Sequence, residues 1–308
     1  MKRLDNIEIV KANYENTKTL VSKYYIAHKQ DKFLAKNFTH ESLLKDINYL
    51  VDNGLGFVAI QNNISVGYLL GYKIKTLFFN ESGIYSPDFA VYYDNDYVLY
   101  RLFEEYYREM KNESITHHAI TLLTPSQDDF LVQLGYGLRV MDGVRFPHKN
   151  SPTDSLVSMI KADICDYNIL LNLYKEHIQY MSSSPIFLEE TNPELELTDI
   201  LNDNDKIVFK ILYMLEVVGF SVIDKLHAPG GKYFKDSETL GIKGTHILSN
   251  FQNKQIGSRY IELLDNYCIE NGYNRLAVDF ESMNYLALKF WSKTFHISAK
   301  TYIKYIGK

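Results

Sequence analysis

The chain has 308 residues, a length that suits about two domains, and 46% hydrophobic with 23% charged residues is the balance of a folded globular protein. The formal net charge is −5 and no block of like charge stands out, so nothing in the composition draws the chain towards nucleic acid or anionic lipid. Two cysteines, Cys165 and Cys268, are too few for a disulfide framework and have no metal-ligand spacing. The start, MKRLDNIEIV, lacks the apolar run of a signal peptide. No stretch reaches the roughly 18 apolar residues of a spanning helix; the longest apolar region, 207–223, is broken by Lys210, Glu216 and Gly219. The expectation is a cytoplasmic protein, monomer or homodimer, with no metal and no membrane or nucleic-acid partner. The 25 tyrosines are read first as compositional bias and second as an aromatic-lined pocket.

In chain order, a short strand over 7–10 precedes helical segments to about residue 51. The run GFVAIQNNISVGYLLGY (56–72) places two β-rich segments around Asn62-Asn63, a pair that tolerates positive φ, and so reads as a hairpin. Val98, Leu99, Leu102, Phe103, Tyr106 and Met110 recur at helical spacing, and a strand and a further helix follow. His117 and His118 are adjacent in that strand, face opposite ways and cannot chelate one metal; they read as structural. The hydrophilic stretch PHKNSPTD (147–154) reads as a linker.

Beyond it the grammar repeats. KIVFKILYMLEVVGFSVID (206–224) carries two similar runs with a less obvious turn. A strand over 239–247 leads to a helix with Ile256, Tyr260, Ile261, Leu263, Leu264, Tyr267 and Cys268 at helical spacing, Cys268 on the apolar face. Asn271-Gly272 suits a left-handed cap at its end. Phe103 and Ile261 are 158 positions apart, as are Ala119-Ile120 and Ala277-Val278, and Phe130 and Phe290 are 160 apart. A near-constant offset over three elements indicates duplication. The fold class expected is α/β, with an α+β mixed sheet in each of two domains, 1–148 and 155–308.

The chemistry concentrates in ILSNFQNKQIGSRYIELL (247–264), where a strand runs through a polar loop into the amphipathic helix. The first amides of a helix have no intrahelical partner and carry about half a positive charge, which makes a diphosphate site. Gln252, Asn253, Lys254, Gln255, Ile256, Gly257 and Ser258 form the loop. Gly257 would allow a phosphate close to the backbone, and Lys254 and Ser258 would add donors.

This segment resembles the coenzyme A loop of the GNAT superfamily of N-acetyltransferases, Val-x-Pro-x-x-Gln/Arg-x-x-Gly-x-Gly/Ala. Ile247 fills the Val position, Gln252 the Gln/Arg position and Gly257 the second Gly, while Ser249 replaces Pro and Gln255 the first Gly. About 30 residues on, ESMNYLALKFWSKTF (281–295) resembles the family's Asn-x-x-Ala-x-x-Phe-Tyr-x-x-x-Gly-Phe at Asn284, Ala287, Phe290 and Phe295, with Trp291 for Tyr and Thr294 for Gly. The resemblance covers about 156–308. The first half is similar but its counterpart loop, AVYYDNDYVLYRLF (90–103), has no glycine and places Asp94 and Asp96 where phosphate would sit; it reads as a degenerate domain that braces the other.

The resemblance implies acetyl-CoA as co-substrate, no metal, and direct transfer of an acetyl group to a primary amine of a small molecule or peptide. A backbone N–H of the strand ending at Ile247 would polarise the thioester. Contacts with coenzyme A carry over to Ile247, the loop 252–258, Asn284 and Phe290, although Asn284 also reads as a helix N-cap. His246, near the strand's end, and Glu281, after the next, are candidate bases. Trp291 cannot act as the acid that the family's Tyr supplies and reads as packing. The alternatives are an inactive acyl-CoA-binding regulatory module, and a tandem transferase that takes an aminoacyl group from tRNA, which the lack of basic surface opposes. The acceptor pocket is expected in the loops 182–193 and 227–236.

Overall fold

The computed structural model describes residues 7–78, 81–124, 128–150 and 156–307, with backbone only for 76–78, 81 and 128. The second half of the expected linker, 151–154, lies outside them. The first repeat runs β1 (Ile7–Lys11), α1 (Tyr14–His28), α2 (His40–Asn53), β2 (Leu55–Gln61), β3 (Ile64–Phe78), β4 (Glu81–Ser86), β5 (Val91–Tyr93), α3 (Asp96–Asn112), β6 (His117–Leu123), α4 (Asp128–Gln133) and β7 (Gly137–Arg145). The second runs β8 (Val157–Lys161), α5 (Tyr167–Ser182), α6 (Pro193–Asn202), β9 (Lys206–Tyr213), β10 (Glu216–Asp224), β11 (Thr239–Ile247), α7 (Ile256–Glu270), β12 (Arg275–Glu281), α8 (Tyr285–Thr294) and β13 (His296–Tyr305). Apart from β5, which pairs with β3, the two orders match element for element. Phe103 and Ile261 fall in α3 and α7, Ala119 and Ala277 in β6 and β12, and Phe130 and Phe290 in α4 and α8. Among the described residues no helix is long and apolar enough to cross a membrane.

The compact units differ from the sequence halves at their last strands. One unit comprises Met1–Val140, Gly231–Tyr233 and Ser298–Lys308; the other comprises Met141–Gly230 and Phe234–Ile297. In the first, the strand order is β1-β2-β3-β4-β6-β13, with β4 and β6 parallel and β13 antiparallel to β6 through Ala299↔Leu123 to Tyr305↔His117. In the second, it is β8-β9-β10-β11-β12 with the Met141–Arg145 part of β7 beside β12. The final strand of each repeat therefore completes the sheet of the other unit. Hydrophobic alternation sets the strands, but which sheet receives the last one is a tertiary choice that periodicity does not encode.

In the first unit, alternation along β2 sends Phe57 and Ala59 to one face, against the buried stripe Val98, Leu99, Leu102, Phe103, Tyr106 and Met110 of α3. Val58 points to the other, against Leu20 and Val21 of α1 and Leu43, Ile47 and Leu50 of α2. Tyr233 belongs to this second core: its ring packs on Phe38 and Phe89 and its hydroxyl bonds Asp46. The second unit repeats the sandwich. Val208, Phe220 and Val222 face Leu170, Leu173 and Leu197 of α5 and α6, while Phe209 meets Tyr267 of α7 edge to face. The β2–β3 turn places Asn62 and Asn63 at φ 52° and 62° as its sequence suggests; the corresponding β9–β10 turn does the same with Met214 and Leu215, at 50° and 72°.

His117 and His118 are both buried, and His118 lies in a polar chain within the first core. The Tyr107 hydroxyl donates to that of Tyr136 at 2.8 Å, Tyr136 bonds His118 Nδ1, and His118 Nε2 meets Ser86 Oγ at 3.0 Å. Burial, with a smaller push from Lys304, drives the His118 pKa down to about 3. A folded value below the ordinary one means that the unfolded chain takes the proton first. Stability from the neutral ring is therefore intact above about pH 6.5 and is lost as pH falls towards 3, at up to about 1.4 kcal/mol per pH unit. Urea unfolding of the wild type and His118→Gln between pH 7 and 4 should show the shallower slope in the variant; equal slopes would clear His118 of this role.

Candidate functional site

Two parallel strands come apart to make the site. β11 pairs with β12 only from Thr239↔Arg275 to Ile242↔Val278. There β11 bulges: Val222 of β10 faces Gly244 while Ile223 faces Ile242, so Lys243 is the extra residue. Beyond it, β11 follows β10 as far as Gly219↔Ile247 and no longer pairs with β12. The N–H and C=O groups on its β12 side are thus released into a slot between the strands. Gly219 is needed for the close packing here, since a Cβ would stand 2.3 Å from the carbonyl oxygen of His246.

The loop after β11 is held by its own backbone. The amide of Leu248 donates to Val218 O at 2.9 Å, a short 3-10 turn covers Ser249–Phe251, and Gln252 Nε2 donates back to Ile247 O at 3.2 Å. Asn253 and Gln255 both adopt φ 62°, and Gln255 is the N-cap of α7 with no side-chain hydrogen bond. The first helical bond is Arg259 N to Gln255 O at 3.0 Å. The amides of Ile256, Gly257 and Ser258 come before it, and among the described residues they have no partner. Alternating left-handed residues followed by a helix start is a concave nest of N–H groups with the positive end of the helix dipole behind it. In the first unit the same place is closed: Asn95 Oδ1 accepts from Val98 N at 3.1 Å at the start of α3, between Asp94 and Asp96.

The structure refines several sequence expectations. Gln252 braces the loop through its Nε2. Lys254 lies with Nζ 4.6 Å from the centre of the Phe251 ring. Gly257 has a second role, because a Cβ there would come within 3.2 Å of the Phe290 ring and 3.7 Å of Ile247 Cδ1. Asn284 caps α8, with Oδ1 accepting from Ala287 N at 3.1 Å and from the Tyr180 hydroxyl at 2.8 Å. Trp291 is buried between Phe290 and Phe295. Glu281 is the last residue of β12, and its carbonyl accepts from Asn284 N at 3.0 Å. Among the described residues no group of three His, Cys, Asp or Glu is placed to hold a metal ion.

Because side chains alternate, Ile247 turns towards Gly257 and His246 towards the opposite face, where α5 lies. His246 is 7% exposed, and its Nε2 is 3.3 Å from Glu176 Oε1. The ring of His177 is 5.6 Å from it. Burial lowers the His246 pKa and Glu176 opposes the shift; burial and His246 bring that of His177 down to about 4. Sequence reading found His246 but missed Glu176, His177 and Tyr180. Their only signal is a titratable cluster within one turn of an otherwise ordinary helix, and nothing in the sequence says that the turn meets the end of β11.

The sequence model of the acetyltransferase (GNAT) family matches residues 170–296, from α5 to the start of β13. No curated protein sequence matches the chain. Among solved structures, a GCN5-related N-acetyltransferase from Sphaerobacter thermophilus aligns with a TM-score of 0.54 at 8% identity over 99% of this chain and 97% of that one. A GCN5-related glucosamine N-acetyltransferase region of a fungal multi-domain GH3 beta-N-acetylglucosaminidase gives 0.52 at 10% identity over 97% of this chain and 38% of that one. At such identities the likeness is one of fold, and it extends over nearly the whole chain. The GNAT family match is thus confined to residues 170–296, and the likeness over the rest of the chain is one of fold.

Gln255 stands where the family has a glycine, in a conformation that costs an L-residue about 1 kcal/mol. Gln255→Gly should therefore raise the unfolding free energy by about that amount in denaturant titrations. A loss of stability would mean that the side chain makes a contact stronger than the strain.

Proposed function

We propose that the second unit takes acetyl-CoA as co-substrate and moves its acetyl group to a primary amine of a small molecule or peptide. The observation that supports this reading most is the open nest of amides at Ile256, Gly257 and Ser258, set directly after a strand released from its neighbour. A diphosphate fits it by chemistry: three unpaired donors, no capping side chain, and a helix dipole of the right sign. The turn amides of Asn253, Lys254 and Gln255 would complete the cradle, with Ile247, Asn284 and Phe290 bordering it.

The co-substrate supplies an acyl group already activated as a thioester, so direct attack by the amine needs no covalent enzyme intermediate. The protein's part is alignment and proton handling. N–H groups of β11 released on the β12 side are donors that can hold a carbonyl oxygen, each worth roughly 3 to 4 kcal/mol where charge develops. His246 is the base. Glu176 holds the Nε2–H tautomer, which leaves Nδ1 as the acceptor for the amine proton, and burial keeps the ring neutral near pH 7. Tyr180, fixed on Asn284 at the start of α8, is the phenol placed to return a proton where Trp291 cannot.

Trp291 favours a second reading, an acyl-CoA-binding module without turnover. Free-thiol release from acetyl-CoA with a panel of primary amines separates the two, since a module binds but releases none. Ser258→Glu puts a carboxylate into the nest at a position where the helix dipole favours it, so folding should persist while acetyl-CoA binding by calorimetry weakens at least 100-fold. Undiminished binding would move the cofactor elsewhere. His246→Gln should lower kcat by about 100-fold with KM for acetyl-CoA nearly unchanged.

The pH dependence carries its own sign. Neutral His246 is the active form, so kcat should fall as pH drops through its lowered pKa. Glu176 raises that value, so Glu176→Gln should shift the acid limb to lower pH. A limb that stays in place would exclude the His246–Glu176 pair as the titrating group.

A further inference from the structure

The second unit contains a cavity of about 390 Å³ that takes no part in the site above. It lies at the other end of α7, whose 15 residues span about 22 Å. Its polar wall is made by Lys161 at the end of β8, Asn204, Lys206 and Lys225 around the base of β9 and β10, and Tyr267 and Tyr273 at the end of α7. Ile207 and Val208 supply an apolar floor.

The hydrogen-bonding balance of this wall is one-sided. Its two carboxylates are engaged: Asp163 accepts from Cys165 N at 2.7 Å, and Asp203 accepts from Asp205 N at 2.9 Å and pairs with Lys206 at 3.1 Å. The last carbonyls of α7 are also taken. Tyr267 O receives Asn271 N at 3.1 Å and Asn271 Nδ2 at 2.8 Å, and Cys268 O receives Tyr273 N at 2.8 Å. Those two carbonyls at the helix end are therefore occupied. The Lys225 ammonium is bonded only to the Asn204 carbonyl. Among the described residues Lys161 and the hydroxyls of Tyr267 and Tyr273 have no hydrogen-bond partner. Three lysines against two aspartates leave one net positive charge. A polar cavity with a small apolar floor, whose two carboxylates are engaged and whose Lys161 ammonium and two phenol donors are not, is complementary to an anion with several acceptor oxygens and a small carbon skeleton.

We propose that this cavity is a second ligand site, for a small organic anion bearing a phosphate or carboxylate group, held by Lys161, Tyr267 and Tyr273. It is separate from the amide nest, so its ligand binds together with the co-substrate and does not compete with it. The proposal stands whether or not the second unit transfers acetyl groups.

The test is calorimetry on the full chain with AMP, glucose 6-phosphate, citrate, phenyl phosphate and inorganic phosphate as probes. At least one organic anion should bind at millimolar or lower concentration, with the same affinity in Ser258→Glu and in the presence of coenzyme A. Lys161→Glu should weaken it at least tenfold, and Tyr273→Phe should weaken it with no change in thermal midpoint. No heat with any of the five overturns the proposal. So does binding that is lost in Ser258→Glu, which would place the anion on the nest, or binding indifferent to both Lys161→Glu and Tyr273→Phe, which would place it on another surface.

Discussion

The opening of α7 without a side-chain cap is the constraint to which the rest of the second unit answers. A helix start left bare costs stability wherever Asn, Ser, Thr or Asp could have closed it. Here the chain adds two left-handed residues, Asn253 and Gln255, which deepen the cost and turn the orphan amides towards one point. Everything nearby serves to keep that geometry. Gln252 ties the loop to the last carbonyl of β11, the Phe290 ring fixes where the helix can sit by occupying the space of a Gly257 side chain, and the bulge at Lys243 ends the pairing that would have sealed the slot.

The first unit acts as an internal control for this interpretation. It has the same order of elements and a helix in the same place with an equally apolar buried face. Its helix start is capped by Asn95 and flanked by Asp94 and Asp96, as one expects of a helix that has only to be stable. Two copies of one fold thus differ at the one feature that binding a diphosphate requires. Folding alone explains the capped copy; it does not explain the open one.

Legibility in the sequence followed the range of the physics. The buried stripe of α3, the bounds of β11 and the left-handed Gly272 at the end of α7 all depend on residues within a few turns of each other, and all could be read. The Asn62-Asn63 turn was legible because its residues match its geometry; Met214-Leu215 makes the same turn with residues that do not, and the sequence hid it. The placement of β7 and β13, and the meeting of Glu176, His177 and Tyr180 with His246 and Asn284, are set by packing between segments about 70 to 190 residues apart, which no local pattern records.

That distribution also explains why the motif survives with substitutions. Ser249 can replace Pro because the 3-10 turn at Ser249–Phe251 is made by backbone bonds, and Gln255 can replace Gly because the left-handed region is strained for it but not forbidden. The groups proposed to face the ligand in both cases are amides, which a substitution leaves in place. Trp291 is different in kind, since the group it removes is a side-chain hydroxyl that no backbone can restore. In the proposed reaction the proton must come from another element, and α5 brings Tyr180, His177 and Glu176 to the face of the sheet that carries His246. The loop therefore tolerates drift in its sequence, whereas the proposed proton transfers depend on side chains whose spacing along the chain gives no sign of their proximity.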